Sequence, residues 1–169
     1  MSVCQKSFLG ALLLSLAFCL SGCLFVARQK AQIPYNAVAI AGKASPVLSG
    51  QLAFDILTYI DIKVAIAPKD ADLILEIIHD APSSQIASYG ATGQISAYDL
   101  NDVVEFRVFD VAGNQIVPAT QIYAVRSVNF SSGTVLSADI QQNQMLEEMR
   151  KELAMQVTIY LMAIRHRHK

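Results

Sequence analysis

Residues Val104 to Phe130, VEFRVFDVAGNQIVPATQIYAVRSVNF, decide the fold. In the first part, Val104, Phe106 and Val108 fall on one side of an extended chain while Glu105, Arg107 and Phe109 fall on the other. That period of two belongs to a strand with one face buried. The stretch Asp110 to Asn114 (DVAGN) follows, and its Ala-Gly-Asn run supplies the backbone freedom of a tight bend. A second strand then runs from Gln121 to Phe130, so the chain returns on itself as an antiparallel hairpin. Pro118 has no amide hydrogen for a ladder, which places the start of this second strand at a sheet edge or in a bulge.

Downstream, Leu146, Met149, Leu153, Val157, Tyr160, Leu161 and Ile164 recur at steps of three and four, predicting a long helix with one apolar face. Asp139 with Gln142 three residues on matches a capping box, and Glu147 stands one turn before Lys151. Met145, Met149, Met155 and Met162 read as flexible core filler on this helix, with a partner-binding surface as the alternative.

Upstream, Tyr35 to Ala41 follows Pro34 and alternates weakly, as a first strand does. Leu52, Ala53, Ile56, Leu57, Tyr59 and Ile60 predict a helix over about 50–60, with Ser49 accepting from its first-turn amides. Val64 to Ala67 and Leu73 to His79 are β-branched runs separated by a Pro68-Lys69-Asp70 turn. Ala81 to Ser84 reads as a break, and Gly90 to Gly93 as a bulge or hairpin bend. The expected fold class is α+β: an antiparallel or mixed sheet of about four strands with two helices packed on one face.

The two ends of the chain carry different information. Phe8 to Leu20 is uncharged, follows a single Lys6, and is too short for the roughly 20 residues a bilayer-spanning helix needs. It fits the apolar region of a signal peptide. Leu20-Ser21-Gly22-Cys23 then resembles a bacterial lipobox, so residues 1–22 are expected to be removed and Cys23 to carry a covalent lipid. Cys4 and Cys19 leave with the leader, which excludes an intrachain disulfide in the mature protein. Leu24 and Phe25 lack the aspartate that commonly retains lipoproteins at the inner membrane, which points to the outer membrane.

Removal of 22 of the 169 residues leaves 147, enough for one domain: a lipidated linker over 23–34, an α+β domain over 35–165 and a basic tail over 166–169. With 13 basic and 14 acidic residues in the whole chain, no broad cationic surface exists for nucleic acid. The short run Arg165-His166-Arg167-His168-Lys169 is the exception, read as a solvated, frayed tail with contact to anionic lipid phosphates as the alternative.

Chemistry is sparse. His79 is the sole histidine of the mature chain outside the terminal run, and Ser83-Ser84 lack a Gly-x-Ser-x-Gly context, so no nucleophile and base are brought together. His166-x-His168 has no carboxylate or thiolate partner in sequence to hold a metal. Gly90-Ala91-Thr92-Gly93 lacks the Gly-Lys-Ser/Thr ending of a phosphate loop. Asp99, Asp102 and Glu105 are assigned to a strand's solvent face or a turn. The expectation is a non-enzyme without metal or other cofactor.

The order of features resembles the LPS-assembly lipoprotein family LptE. The likeness rests on the lipobox ending at Cys23, the early strand and short helix, Gly93-Gln94 with Tyr98, Phe106-Arg107-Val108 and Arg126-Ser127. It is strongest from Val135-Leu136-Ser137-Ala138-Asp139 to Glu148-Met149-Arg150-Lys151-Glu152-Leu153-Ala154. The resemblance implies an outer-membrane lipoprotein that plugs the β-barrel LptD, aids its assembly and assists lipopolysaccharide delivery to the outer leaflet. Basic positions that the family is proposed to use against lipopolysaccharide phosphates fall here on Ala91 and Ala138. Arg126, Arg107 and Lys43 remain as candidate phosphate ligands, the arginines through bidentate guanidinium contacts. A lipid- or ligand-binding lipoprotein of another envelope transport system is the alternative, and an enclosed apolar pocket would mark it.

Overall fold

The computed structural model describes residues 29–91, 93–129 and 135–164, the side chains of 135–138 aside. Five strands, β1 (Ala37–Gly42), β2 (Lys63–Ala65), β3 (Leu73–Tyr89), β4 (Ile95–Asp110) and β5 (Gln115–Asn129), form one sheet in the order β2-β1-β3-β4-β5. β1 runs parallel to β2 and β3, whereas β3, β4 and β5 are antiparallel neighbours. With helices α1 (Pro46–Tyr59) and α2 (Val135–Ala163), this is the expected α+β architecture.

The expected hairpin around the 110–114 turn is present, as β4 and β5. Asp110 accepts from the Asn114 amide and side-chain nitrogens, both at 2.8 Å, and Gly113 takes φ 87°, which a side chain would resist. β5 starts at Gln115, six residues before Gln121, because Gln115 already pairs with Phe109. Pro118 lies on an edge strand where the register shifts around Val108, so edge and bulge coincide.

The expected break at Ala81 to Ser84 is absent, since β3 continues to Tyr89. β1 stops at Gly42 opposite Ile77, so beyond that point β3 is bonded to β4 alone and Pro82 has no ladder to interrupt on its other flank. Ser83 Oγ donates to the Asn101 carbonyl at 3.2 Å, and the Ser88 and Ser96 hydroxyls meet at 2.7 Å. The β3–β4 strands are joined by the Gly90 to Gly93 bend, as expected, with Gly93 at φ 82°. Gly42 is the other glycine that geometry demands: at φ 90°, a Cβ there would lie 2.2 Å from the Ile77 carbonyl oxygen.

Both helices begin earlier than their sequence signals suggest. Ser45, not Ser49, caps α1 by accepting from the Leu48 amide at 3.3 Å; Ser49 lies inside the helix and donates back to Pro46. Pro46 fits the first helical position because that residue's amide needs no partner there. α2 starts at Val135, which puts Asp139 inside the first turns on an exposed position rather than at a cap.

The core lies between the helices and one face of the sheet. Leu48, Leu52 and Ile56 of α1 meet Met149, Leu153, Val157 and Leu161 of α2 over Leu73, Leu75, Ile77, Leu100, Val104, Phe106 and Val108. Phe106 is fully buried, and Tyr160, itself half exposed, meets its ring edge-on at 5.4 Å between centroids. Met149 is buried while Met145 and Met162 pack against the core margin, in keeping with filler. The other face carries Glu76, Arg107, Tyr123 and Val125. Ile33 joins the core, and Ala31 bridges Ile60 at the end of α1.

Candidate functional site

A buried ion cluster ties the layers together. Arg150 projects from α2 toward the sheet, with Nη2 2.8 Å from Asp80 Oδ1 and Nε 3.1 Å from Asp102 Oδ2. Its Nη1 donates to Asp80 Oδ2 at 3.1 Å and to the Ser45 hydroxyl. Asp80 in turn accepts from the Ser45 amide at 2.7 Å. One guanidinium therefore links α2, the cap of α1, β3 and β4.

Asp80 reaches the helix side because the register shifts between Ile77 and His79: Leu73, Leu75 and Ile77 face inward, and the extra residue turns Asp80 inward as well. Asp102, expected on a solvent face or turn, is fully buried. Burial pushes its carboxyl above the ordinary value, and the Asp80 charge adds to this against the pull of Arg150. Burial also works against ionised Asp80, but hydrogen bonds from Ser45 and Arg150 outweigh it and hold that carboxyl below the ordinary value. Of the other two acids, Asp99 is exposed and accepts from the Ser127 hydroxyl at 2.6 Å, and Glu105 is half buried.

The candidate phosphate ligands do not converge. Arg126 of β5 lies on the helix side and pairs with Glu152 of α2 at 2.6 Å. Arg107 of β4 lies on the opposite face, paired with Glu76, its guanidinium 5.5 Å from the Phe109 ring centroid. A surface depression of about 270 Å³ beside it is lined by Arg107, Phe109, Gly113 and Gln115. Lys43 is exposed after β1, its amide bonded to the Ile77 carbonyl at 2.7 Å. Ala91 is exposed in the β3–β4 bend and Ala138 lies in the first turn of α2. Cys23 and the His166-x-His168 pair lie outside the described residues. Among the described residues no group of His, Cys, Asp and Glu is arranged to hold a metal ion, and no helix is long and apolar enough to cross a membrane.

Sheet, helices and cluster together span the region that matches the LptE lipopolysaccharide-assembly family, residues 35–161. The chain belongs to that family. Solved structures share the LptE fold at low identity. Lipoprotein B of Nitrosomonas europaea is 21% identical with a TM-score of 0.65, covering 79% of this chain and 87% of its own. A minor lipoprotein of Acinetobacter baumannii is 21% identical at 0.64, covering 79% and 95%. The rare lipoprotein B of Shewanella oneidensis is 22% identical at 0.60, covering 76% and 94%. No curated protein gives a match. As an LptE-family member the protein is a lipopolysaccharide-assembly lipoprotein of the cell envelope.

Proposed function

We propose that this chain is anchored to the outer membrane through a lipid on Cys23, plugs an LptD-type β-barrel, and assists lipopolysaccharide passage to the outer leaflet without catalysing a reaction. The family match over residues 35–161 carries this reading. The packed core supports it: the side chains between helices and sheet leave Leu48, Leu52, Ile56, Leu75, Val104 and Phe106 at 0% exposure, which suits a plug better than a carrier. The polar strand ends suit a wide barrel lumen, which is polar and wet.

Affinity purification of the acylated protein from extracted membranes, followed by mass spectrometry, tests the reading. An outer-membrane β-barrel recovered in about equal amount is expected; a monomer carrying only small lipid would instead establish the independent carrier.

Within this reading Arg126 is the favoured phosphate ligand, with Arg107 and Lys43 secondary. Arg126 is half exposed and exchanges one carboxylate, Glu152, for a phosphate. Arg126→Ala is expected to weaken lipopolysaccharide binding about tenfold, the scale of one charge-assisted hydrogen bond. Unchanged affinity in a titration would remove Arg126 from the site.

A further inference from the structure

The two helices lie side by side and run the same way. α1 starts at Ser45 beside Asp80 and ends just before Lys63, which pairs with Ala37 at the start of β1. Register places that start level with Leu73 of β3 and with the 110–114 turn. α2 runs toward the same turn, because Arg150 meets Asp102 while Tyr160 meets Phe106 further along β4. Arg150 also touches Ser45. At an equal rise of about 1.5 Å per residue, Gly50 therefore lies level with Met155, Phe54 with Ile159 and Leu57 with Met162.

Away from the sheet this helical layer is apolar. On α1, Val47, Gly50, Phe54 and Leu57 fall opposite the core residues Leu48, Leu52 and Ile56, and the three side chains are 59%, 62% and 48% exposed. On α2, Met155, Ile159 and Met162 fall on the side away from Met149, Leu153 and Val157, with Ile159 53% exposed. Asp55 is the one charged residue from Pro46 to Ile60, and it is buried, accepting from the Gln51 side chain at 2.9 Å. None occurs from Leu153 to Ile164. The result is an uncharged face about 20 Å long and two helices wide, larger than the scattered apolar exposure of an ordinary surface.

We propose that a second copy of the chain covers this face, packed antiparallel through a two-fold axis level with Leu52 and Val157. The pattern is self-complementary. Val47, Gly50, Phe54 and Leu57 are spaced three, four and three, so reversal about Leu52 sets Val47 against the second copy's Leu57 and Gly50 against its Phe54. A Cβ on Gly50 would have no atom within 4 Å, which leaves room for that ring. The same axis sets Met155 against the second copy's Ile159, where a flexible thioether adapts to the gap. Charges do not oppose the contact, since Lys151 and Glu152 at its margin pair with Glu147 and Arg126 of their own copy. Each face measures about 400 Å² in projection and more with its relief, so two copies bury about 1,000 Å², where specific interfaces begin. A bilayer is the poorer match, because helices lying in a headgroup layer carry a basic polar side. The pairing needs no barrel and stands apart from the plug reading.

The test places the photo-crosslinking amino acid p-benzoylphenylalanine at Phe54 of the full chain. The product, extracted from membranes and transferred into phosphatidylcholine vesicles without a barrel partner, would be mixed with an equal share labelled with heavy nitrogen. Light is expected to give a reduction-resistant product of twice the chain mass and mixed label, joined from position 54 to the segment around Gly50. Gly50→Leu fills the space that the ring needs and should lower the yield about tenfold. Its melting temperature should match or exceed the parent's, since the new side chain meets nothing in its own copy and glycine is a poor helix former. Ile159→Gln, at an exposed position on the other helix, should lower the yield as well.

Links to lipid alone overturn the second copy and assign the face to the bilayer. No link between differently labelled copies overturns the pairing outright. Links that land away from α1 of the second copy, or a yield indifferent to both Gly50→Leu and Ile159→Gln, overturn the two-fold arrangement. Recovery of a barrel in the affinity purification is a separate readout, so either reading can fail while the other holds.

Discussion

Arg150→Ala is expected to lower folding stability by about 3–5 kcal/mol, the usual cost of stripping a buried ion cluster of one partner. The size follows from what remains behind. Asp80 and Asp102 stay inside the domain with like charges and no cation between them, while the Ser45 cap loses its guanidinium contact. Against a total stability that is typically only about 5–15 kcal/mol, the variant retains a narrow margin. Urea unfolding followed by circular dichroism reads the effect directly. A loss under about 1 kcal/mol would show that water or a side-chain shift replaces the cation.

The deficit should depend on pH, and its sign can be worked out. Without Arg150, Asp102 loses the cation that opposes its burial and Asp80 loses part of what holds it down, so both folded-state values move upward from the parent's, and the stability lost by that move is greatest where both acids are ionised. The gap between variant and parent is therefore widest at neutral pH and narrows on acidification toward the ordinary carboxylate range. In the parent the two acids oppose one another. Asp102, raised by burial, favours the folded state below its unfolded value and loses that as pH rises; Asp80, lowered by Ser45 and Arg150, favours it above its unfolded value and loses that as pH falls. Asp102→Asn should accordingly remove the alkaline-side decline and leave the acid-side one. A urea midpoint for Asp102→Asn that still declines on the alkaline side as the parent's does would assign that decline to another group.

The cluster also marks where sequence reading succeeded and stopped. Asp102 has the parity of Val104, Phe106 and Val108, and Arg150 stands beside Met149 and three residues before Leu153, on the inward stripe of α2. Both positions thus carry a core-facing periodicity, which the expectation of a solvent face or turn for Asp102 set aside. Their burial runs against the strong cost of desolvating single charges, which is why a solvent face or turn was the natural expectation for Asp102. Asp80 was not legible at all, because its inward direction depends on a bulge that breaks the alternation of Leu73, Leu75 and Ile77.

The same logic accounts for the secondary-structure errors. A Pro-Ser-Ser run is a turn signal in isolation, yet pairing along β4 overrides it where one flank of β3 is open. Likewise Ser45 outcompetes Ser49 as a cap because Pro46 next to it fixes the first helical position. For the phosphate candidates residue type was readable but convergence was not: Arg107 and Arg126 alternate onto opposite faces of the sheet, and only the strand register reveals it.

Phe106→Ala is expected to cost about 3–5 kcal/mol and lower the melting temperature by about 10–20 °C. Phe106 sits at 0% exposure on β4, opposite Ile77 on one neighbour and Thr120 on the other, so the backbone around it is bonded on both flanks and cannot close a cavity. The edge contact with Tyr160 is lost as well, which loosens α2 at the turn after its buried Val157. Phe106→Leu, which preserves most of the volume, should cost about 1.5 kcal/mol or less. Phe109→Ala offers the decisive contrast, since that ring lies three residues along the same strand but on the uncovered face, half exposed beneath Arg107. It should cost well under half as much as Phe106→Ala. Equal losses at both positions would mean that the outer face is as well covered as the inner one, and would reverse the assignment of the sheet's buried side. Coexpression with a barrel partner should recover part of the Phe106→Ala deficit, because binding to the folded state alone shifts the equilibrium by mass action.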